Sequence, residues 1–181
     1  VFLINPNGLL FGAGSVIDVG SLVASSLNLS DANFLANKLI FNGGGFGAVS
    51  NLGDISTPLG GSVYLIGSNV SNQGVITSPQ GQVLLAAGTS VSLIDSAGPE
   101  LSVTLTANGN RAVNLGTVTA AGGRIDMFGA IIEQAGVLRA DSATVDAAGN
   151  IILKATQSTT VSGQISATNS VGSGGKVQVL G

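Results

Sequence analysis

Apolar and polar residues alternate along most of the chain, in short runs broken by glycine and asparagine. Gly61-Ser62-Val63-Tyr64-Leu65, Gly81-Gln82-Val83-Leu84-Leu85 and Gly123-Arg124-Ile125-Asp126-Met127 share one form, a glycine followed by apolar residues two apart. Gly149-Asn150-Ile151-Ile152-Leu153 and Gly175-Lys176-Val177-Gln178-Val179 repeat it, and Val103-Thr104-Leu105 fits the gap without the glycine. The leading apolar positions are then 63, 83, 103, 125, 151 and 177. A second track, Asn-x-Gly-x-β-branched, recurs at Asn51, Asn72 and Asn114, with weaker copies at Gln134 and Ser162. A third consists of single β-branched residues at Val70, Val91, Val113 and Ile132. Alternation at period two places one face of a strand inward and the other outward. Glycine and asparagine between strands suit the turns, where φ can be positive. Apolar spacing of three and four is never sustained, so long helices are not expected.

Short strands recurring about every 20 residues with Gly/Asn corners predict an all-β fold, a parallel β-helix in which one repeat is one coil. A sandwich need not repeat at one period, and a propeller blade takes about 40–45 residues. In the β-helix, equivalent residues stack. Val63, Val83, Val103, Ile125, Ile151 and Val177 form an inward column, and Leu65, Leu85 and Met127 fall in the next. Tyr64, Leu84, Thr104, Asp126, Ile152 and Gln178 are expected outward. Eight or nine coils at the strand spacing predict a rod of about 40 Å. The register weakens over residues 92–112, where Gly98-Pro99-Glu100 reads as a loop and Asn108-Gly109-Asn110 as a tight turn of a hairpin outside the coil. Units of about 26 residues over 137–176 require extra residues bulging at a corner.

Composition narrows the function classes. Charged residues are only 8% while hydrophobic ones reach 44%, with a mean hydropathy of +0.52, the opposite of a disordered chain. Apolar runs such as Val83–Ala87 are too short for a transmembrane helix. With no Cys and no His, disulfides, thiol nucleophiles, Ser-His triads and zinc fingers are excluded. The basic residues Lys38, Arg111, Arg124, Arg139, Lys154 and Lys176 are scattered, so no basic face for nucleic acid is expected. The polar surface therefore consists of Ser, Thr and Asn.

Candidate chemistry is sparse. Gly43-Gly44-Gly45-Phe46-Gly47-Ala48 fits G-x-G-x-x-A after a plausible strand, Lys38 to Phe41. A dinucleotide site needs a helix next, but the sequence runs into a coil corner at Asn51, so a glycine-rich loop is expected. The alternative function class is a surface polysaccharide lyase or hydrolase on the same scaffold. It would need paired carboxylates about 5–9.5 Å apart, and Asp126 has only Thr104 and Ile152 beside it in its column. A register stacking Asp146 beside Asp126 is disfavoured, because Gly149-Asn150-Ile151 keeps the glycine anchor. The sequons at Asn28 and Asn69 read as coincidental. No catalytic residue, cofactor or metal is expected.

Residues 1–50 do not follow the repeat cleanly. Asn5-Pro6-Asn7-Gly8 has the residues of a type I turn, between the apolar runs Val1–Ile4 and Leu9–Phe11. Ser30 can cap a single helical turn reaching Phe34. Ile4-Asn5-Pro6-Asn7-Gly8-Leu9-Leu10-Phe11-Gly12, then Gly20 to Leu27, then Ser30-Asp31 with Phe34, resemble the secretion domain of the filamentous haemagglutinin family, the exported partner in two-partner secretion. Leu9 stands where that family usually has isoleucine. The resemblance is specific over about residues 1–90.

The resemblance implies a right-handed parallel β-helix, with residues 1–50 as the later part of an N-terminal secretion module and 51–181 as coils continuous with it. It implies a non-enzymatic exported surface protein, recognised in the periplasm by the POTRA domains of an outer-membrane transporter and starting the β-helical stalk of an adhesin, with a haemolysin or the stalk of a contact-dependent toxin as the other roles open to the cargo. Asn5, Pro6, Asn7 and Gly8 are the candidate secretion-motif residues. A host or neighbouring-cell receptor, unidentified, would be the further partner. The chain starts at Val1 rather than at Met and reads as processed or, in preference, as an excerpt of a longer protein.

Overall fold

The computed structural model describes residues 1–44, 46–93, 101–104, 109–143, 149–171 and 174–181, with only the backbone of 101–104 described. The chain winds through three strand-bearing faces per turn. The first coil holds β1 (Phe2–Ile4), β2 (Leu9–Phe11) and β3 (Val16–Asp18). The second begins with β4 (Leu22–Ser25) and leaves the coil for β5 (Leu27–Asn28), α1 (Asp31–Leu35) and β6 (Leu39–Gly44). It returns for β7 (Ala48–Asn51) and β8 (Asp54–Ser56). The third is β9 (Ser62–Gly67), β10 (Asn69–Asn72) and β11 (Val75–Thr77). The fourth opens with β12 (Gln82–Ala87), departs for β13 (Ser90–Leu93) and β14 (Leu101–Thr104), and resumes with β15 (Arg111–Asn114) and β16 (Thr117–Thr119). The fifth runs along β17 (Arg124–Gln134) and β18 (Val137–Arg139), and the sixth along β19 (Asn150–Val161) and β20 (Gln164–Ser166). A seventh begins with β21 (Lys176–Leu180).

Successive coils pair in parallel and in register. Val63 pairs with Val83, Val83 with Ile125, Ile125 with Ile151 and Ile151 with Val177. This is a parallel β-helix, with the continuous β17 and β19 joining two faces into one 11-stranded sheet. The inward columns hold as expected through the sixth coil, where Val63, Leu65, Val83, Leu85, Ile125, Met127 and Ile151 have no exposed surface, whereas Val177, on the last described rung, is exposed. Their core continues through Val49, Ile55, Val70, Ile76, Ala112, Val118, Ile132 and Leu138 on the other two faces.

Three expectations are corrected. Val103 is not a rung of the column. Its strand β14 pairs antiparallel with β13, Val91 opposite Val103 and Ser90 opposite Thr104. Val83 and Ile125 are adjacent rungs although 42 residues separate them, so among the described residues there are seven rungs, spanning about 30 Å, not eight or nine. In the third track, Val70 pairs with Ala112 and Ala112 with Ile132, whereas Val113 faces the other way and Val91 lies in β13.

The outward column is corrected as well. Sheet β14-β13-β6-β5 lies over the first face and buries it. Val23, Ile66, Leu84, Ala86 and Phe128 of the coils pack against Leu27, Phe41 and Val91 of the covering strands. Leu84 and Asp126 are completely buried, while Tyr64, Ile152 and Gln178 are half-buried. The hairpin expected outside the coil exists, but its strands are β13 and β14. Gly109, at φ +93°, turns the chain back toward β15. Asn108, Gly98-Pro99-Glu100, Val145 and Asp146 lie outside the described residues. The longer units at 137–176 contain one described irregularity, where Gly129 pairs with Ala155 but Ile131 with Ser158.

The Asn-x-Gly track is more than a turn signal. Asn51 Nδ2 donates to Asn72 Oδ1 at 2.9 Å, Asn72 Nδ2 to Asn114 Oδ1 at 2.8 Å, and Asn114 Nδ2 to Gln134 Oε1 at 2.8 Å. All four side chains are fully buried. Two residues on, the glycines stack tightly. A Cβ on Gly74 would strike the Gly53 carbonyl oxygen, and one on Gly116 that of Gly74.

Candidate recognition site at the NPNG turn

The β1–β2 connection is the turn its sequence dictates. Gly8 N–H donates to Asn5 O at 2.9 Å, closing a four-residue turn, and Asn7 N–H donates to Asn5 Oδ1 at 3.1 Å. Pro6 suits the second position and asparagine the first, because its side chain bonds the backbone two residues on. Asn5, Pro6 and Asn7 are exposed and Gly8 is half-buried. The structure thus brings the four candidate residues together as one exposed turn.

The second coil holds that turn in place. Asn5 N–H donates to Ser25 O at 3.0 Å. Gly8 adopts φ +106°, and a Cβ there would sit 2.8 Å from Ala48 O. A Cβ on Gly47 would collide with the backbone of Asn7 and Gly8. Both glycines are required by this approach of two chain segments. Gly47, at the end of the glycine-rich stretch, therefore supports the NPNG turn. Sequence reading found the run but not its partner. The dinucleotide reading fails on topology, because the run leads from β6 into strand β7, not into a helix.

Apolar side chains flank the turn. Phe2 and Phe34 meet edge to face with ring centroids 5.3 Å apart, and both are substantially exposed, as are Ile4, Leu10 and Leu35. Phe34 is carried on α1, whose N-cap is Ser30 as expected: Asn33 N–H donates to Ser30 Oγ at 3.2 Å.

Asp126 has no second carboxylate beside it in its column. Its register neighbours are Leu84 and Ile152, and the pairing of Ile125 with Ile151 rules out the register that would bring in Val145 and Asp146. Arg124 Nε donates to both carboxylate oxygens at 2.9 and 2.6 Å, and Gln82 Nε2 donates to Oδ2 at 2.7 Å. The Tyr64 hydroxyl in turn donates to Gln82 Oε1 at 3.0 Å. Burial pushes the Asp126 carboxyl up, and the bonds from Arg124 and Gln82 oppose that. This is a paired structural charge under the covering sheet. A different balance holds at Asp141, at a coil corner. Burial would raise its pKa, but Ser166 Oγ, Thr168 N–H, Thr168 Oγ1 and Arg139 Nε all donate to it and hold it at about 2. Among the described residues no group of three or more acidic side chains could hold a metal ion.

Comparison with known proteins agrees with this architecture. Residues 1–179 match the family described as the TPS secretion domain. The crystal structure of the HMW1 secretion domain from Haemophilus influenzae superposes with a TM-score of 0.93 at 37% sequence identity. The match covers 98% of this chain and 49% of that one, so the chain spans about half the length of its relative. No curated protein matches. A match across nearly the whole chain, on a β-helix with an NPNG turn in its first coil, establishes that the chain belongs to the TPS, or two-partner secretion, domain family.

Proposed function

We propose that this chain is the part of an exported, non-enzymatic adhesin that an outer-membrane two-partner secretion transporter recognises through its periplasmic POTRA domains. The observation that carries this is the TPS secretion domain match over residues 1–179. In this reading the protein passes through the periplasm and outer membrane and acts at the cell surface or beyond, against a receptor on a host or neighbouring cell. Residues 1–50 present the recognition elements, and residues 51–181 continue as the first coils of a stalk. Asn5, Pro6, Asn7 and Gly8 form the exposed element that the transporter reads. Their rigidity favours this role, since a preordered turn loses little freedom on binding.

The test separates recognition from folding. Asn5→Ala and Asn7→Ala are made in the full-length protein and co-expressed with its transporter. Both side chains are exposed and lie outside the core, so Asn7→Ala should change the melting temperature by no more than about 2 °C, and Asn5→Ala, which removes the bond from Asn7 N–H, by no more than about 4 °C. Export should fall at least about tenfold, the equivalent of 1.4 kcal/mol of lost recognition, with folded protein held in the periplasm. If export declines only in step with stability, these four residues are scaffold alone.

A further inference from the structure

The NPNG turn contains a bond with chemistry of its own. Asn7 is followed by glycine, one of three Asn-Gly pairs in the chain, with Asn42-Gly43 and Asn108-Gly109. In such a pair no side chain on the second residue shields its nitrogen from the asparagine amide. Once Gly8 N loses its proton it can attack Asn7 Cγ. A bond from Gly8 N to Cγ forms, the Cγ–Nδ2 bond breaks, and the amide nitrogen leaves with that proton as ammonia. Water then opens the cyclic imide. Opening at Cγ gives aspartate. Opening at the main-chain carbonyl carbon gives isoaspartate, in which the chain runs through the side chain and is one carbon longer.

The fold holds the reacting atoms apart. Gly8 N–H is donated to Asn5 O at 2.9 Å, and Asn7 N–H to Asn5 Oδ1 at 3.1 Å. Gly47 lies against the Asn7–Gly8 peptide, so that a Cβ built on it would overlap Gly8 N and Asn7 C. On the other residue of that peptide, Gly8 is fixed at φ +106°, where a Cβ would sit 2.8 Å from Ala48 O. The nitrogen that must turn toward Asn7 Cγ therefore has its proton engaged and a second chain segment packed against its peptide. Asn7 itself is exposed, so this protection comes from the backbone and not from burial of the amide. Asn42-Gly43 has no such cover: among the described residues, a Cβ on Gly43 would meet nothing within 4 Å.

The products differ in what they do to the turn. Aspartate leaves the main chain intact. Isoaspartate adds a carbon inside a turn that must both close on Asn5 O and deliver Leu9 opposite Val49. The lengthened chain loses the turn bond or the pairing of β2.

We propose that Asn7-Gly8 is a site of spontaneous deamidation that the folded second coil protects and the unfolded chain leaves open, so that a chain kept unfolded loses the NPNG turn by isoaspartate formation. This rests on the reading of the turn as the element the transporter recognises, and makes that element a one-way record of time spent unfolded.

The test incubates the full-length protein at mildly alkaline pH, folded and in guanidinium chloride. Residue 7 is followed by peptide mass spectrometry with isoaspartyl methyltransferase labelling. In denaturant Asn7 should convert at a rate close to that of Asn42. In the folded protein it should convert at least about tenfold more slowly, the effect of an opening cost of 1.4 kcal/mol. Gly47→Ala, which forces the second segment off the turn, should restore much of the unfolded rate. Asn5→Ala, which frees Asn7 N–H and keeps the fold, should raise the folded rate about threefold, as loss of one hydrogen bond allows, and it carries the same test should Gly47→Ala not fold. Equal rates at residue 7 in folded and unfolded chains overturn the inference, and so does an unchanged rate in folded Asn5→Ala. Denaturant-aged protein is then refolded by dilution and captured on the purified transporter. The captured fraction should hold about tenfold less isoaspartate at residue 7 than the uncaptured fraction. Equal contents overturn the inference. If Asn5→Ala and Asn7→Ala still prevent capture in that case, the recognition reading stands and the deamidation proposal alone is refuted; if both are captured normally, the recognition reading falls with it.

Discussion

A buried asparagine is among the more demanding residues to place, because its amide must find both donors and acceptors away from water. Asn72 solves this by accepting from Asn51 and donating to Asn114. Asn72→Leu breaks both bonds at once and strands a donor on Asn51 and an acceptor on Asn114. Each unsatisfied group costs about 1–3 kcal/mol, so a loss of about 2–6 kcal/mol is expected in urea unfolding. A loss below 1 kcal/mol would show that water or relaxation replaces the ladder. The two notable carboxylates give opposite pH signatures. Asp141, held at about 2, is ionised more readily in the folded chain than unfolded, where aspartate titrates near 3.9. Its stabilisation is complete above pH 4 and is lost as pH falls toward 2. Asp126 is raised, so the folded chain takes its proton first. Its contribution improves as pH falls into the carboxylate range and worsens as pH rises through it. Relative to wild type, Asp141→Asn should therefore lose its deficit between pH 4 and 2. Asp126→Asn should compare best at neutral pH and less well as pH falls. Urea midpoints across pH 2–7 check both slopes, and parallel curves would refute them.

At the scale of elements, the covering sheet changes what an outward position means. Leu84 follows Val83 and must point away from the coil interior, yet it is fully buried against Phe41 and Val91. Leu84→Ala should cost about 2–5 kcal/mol, as for any buried leucine, and a solvent-facing reading would put it near zero. Thermal and urea unfolding of this one variant distinguish the two. The inward columns were legible in the sequence because they depend only on period-two alternation and a glycine anchor. The covering sheet was not, because the fourth coil's excursion is about as long as a coil and also alternates, in Ser90-Val91-Ser92-Leu93. Periodicity cannot tell a parallel rung from an antiparallel hairpin strand. The distinguishing signals were the missing glycine before Val103 and the missing Asn-x-Gly unit between Asn72 and Asn114. The NPNG turn was legible for the opposite reason, since its chemistry is local. Its support by Gly47 was not, because it depends on a contact between segments about 40 residues apart.

For the whole molecule, a plain solenoid would be a stack in which each coil touches only its neighbours, with stability close to a sum of local terms. The covering sheet departs from that. Strand β6 comes from the second coil and β13 from the fourth, and they pair antiparallel, Phe41 opposite Val91, across the third. The shared core takes Val23 from the second coil, Ile66 from the third, Leu84 from the fourth and Phe128 from the fifth. The sheet thus clamps four coils into one cooperative unit. The NPNG turn belongs to the first coil but is braced by Ser25, Gly47 and Ala48 of the second, so its shape depends on the clamp. Phe41→Ala should cost about 3–5 kcal/mol. By native-state hydrogen exchange it should also raise opening together in β4, β9, β12 and the first half of β17, while β20, which pairs with β18 on the third face, keeps its protection. Cooperative units of this kind open as a block in exchange experiments. Faster exchange confined to β5, β6 and β13 would mean that the sheet rides on the coils without joining them, and that the turn is rigid through the coils alone.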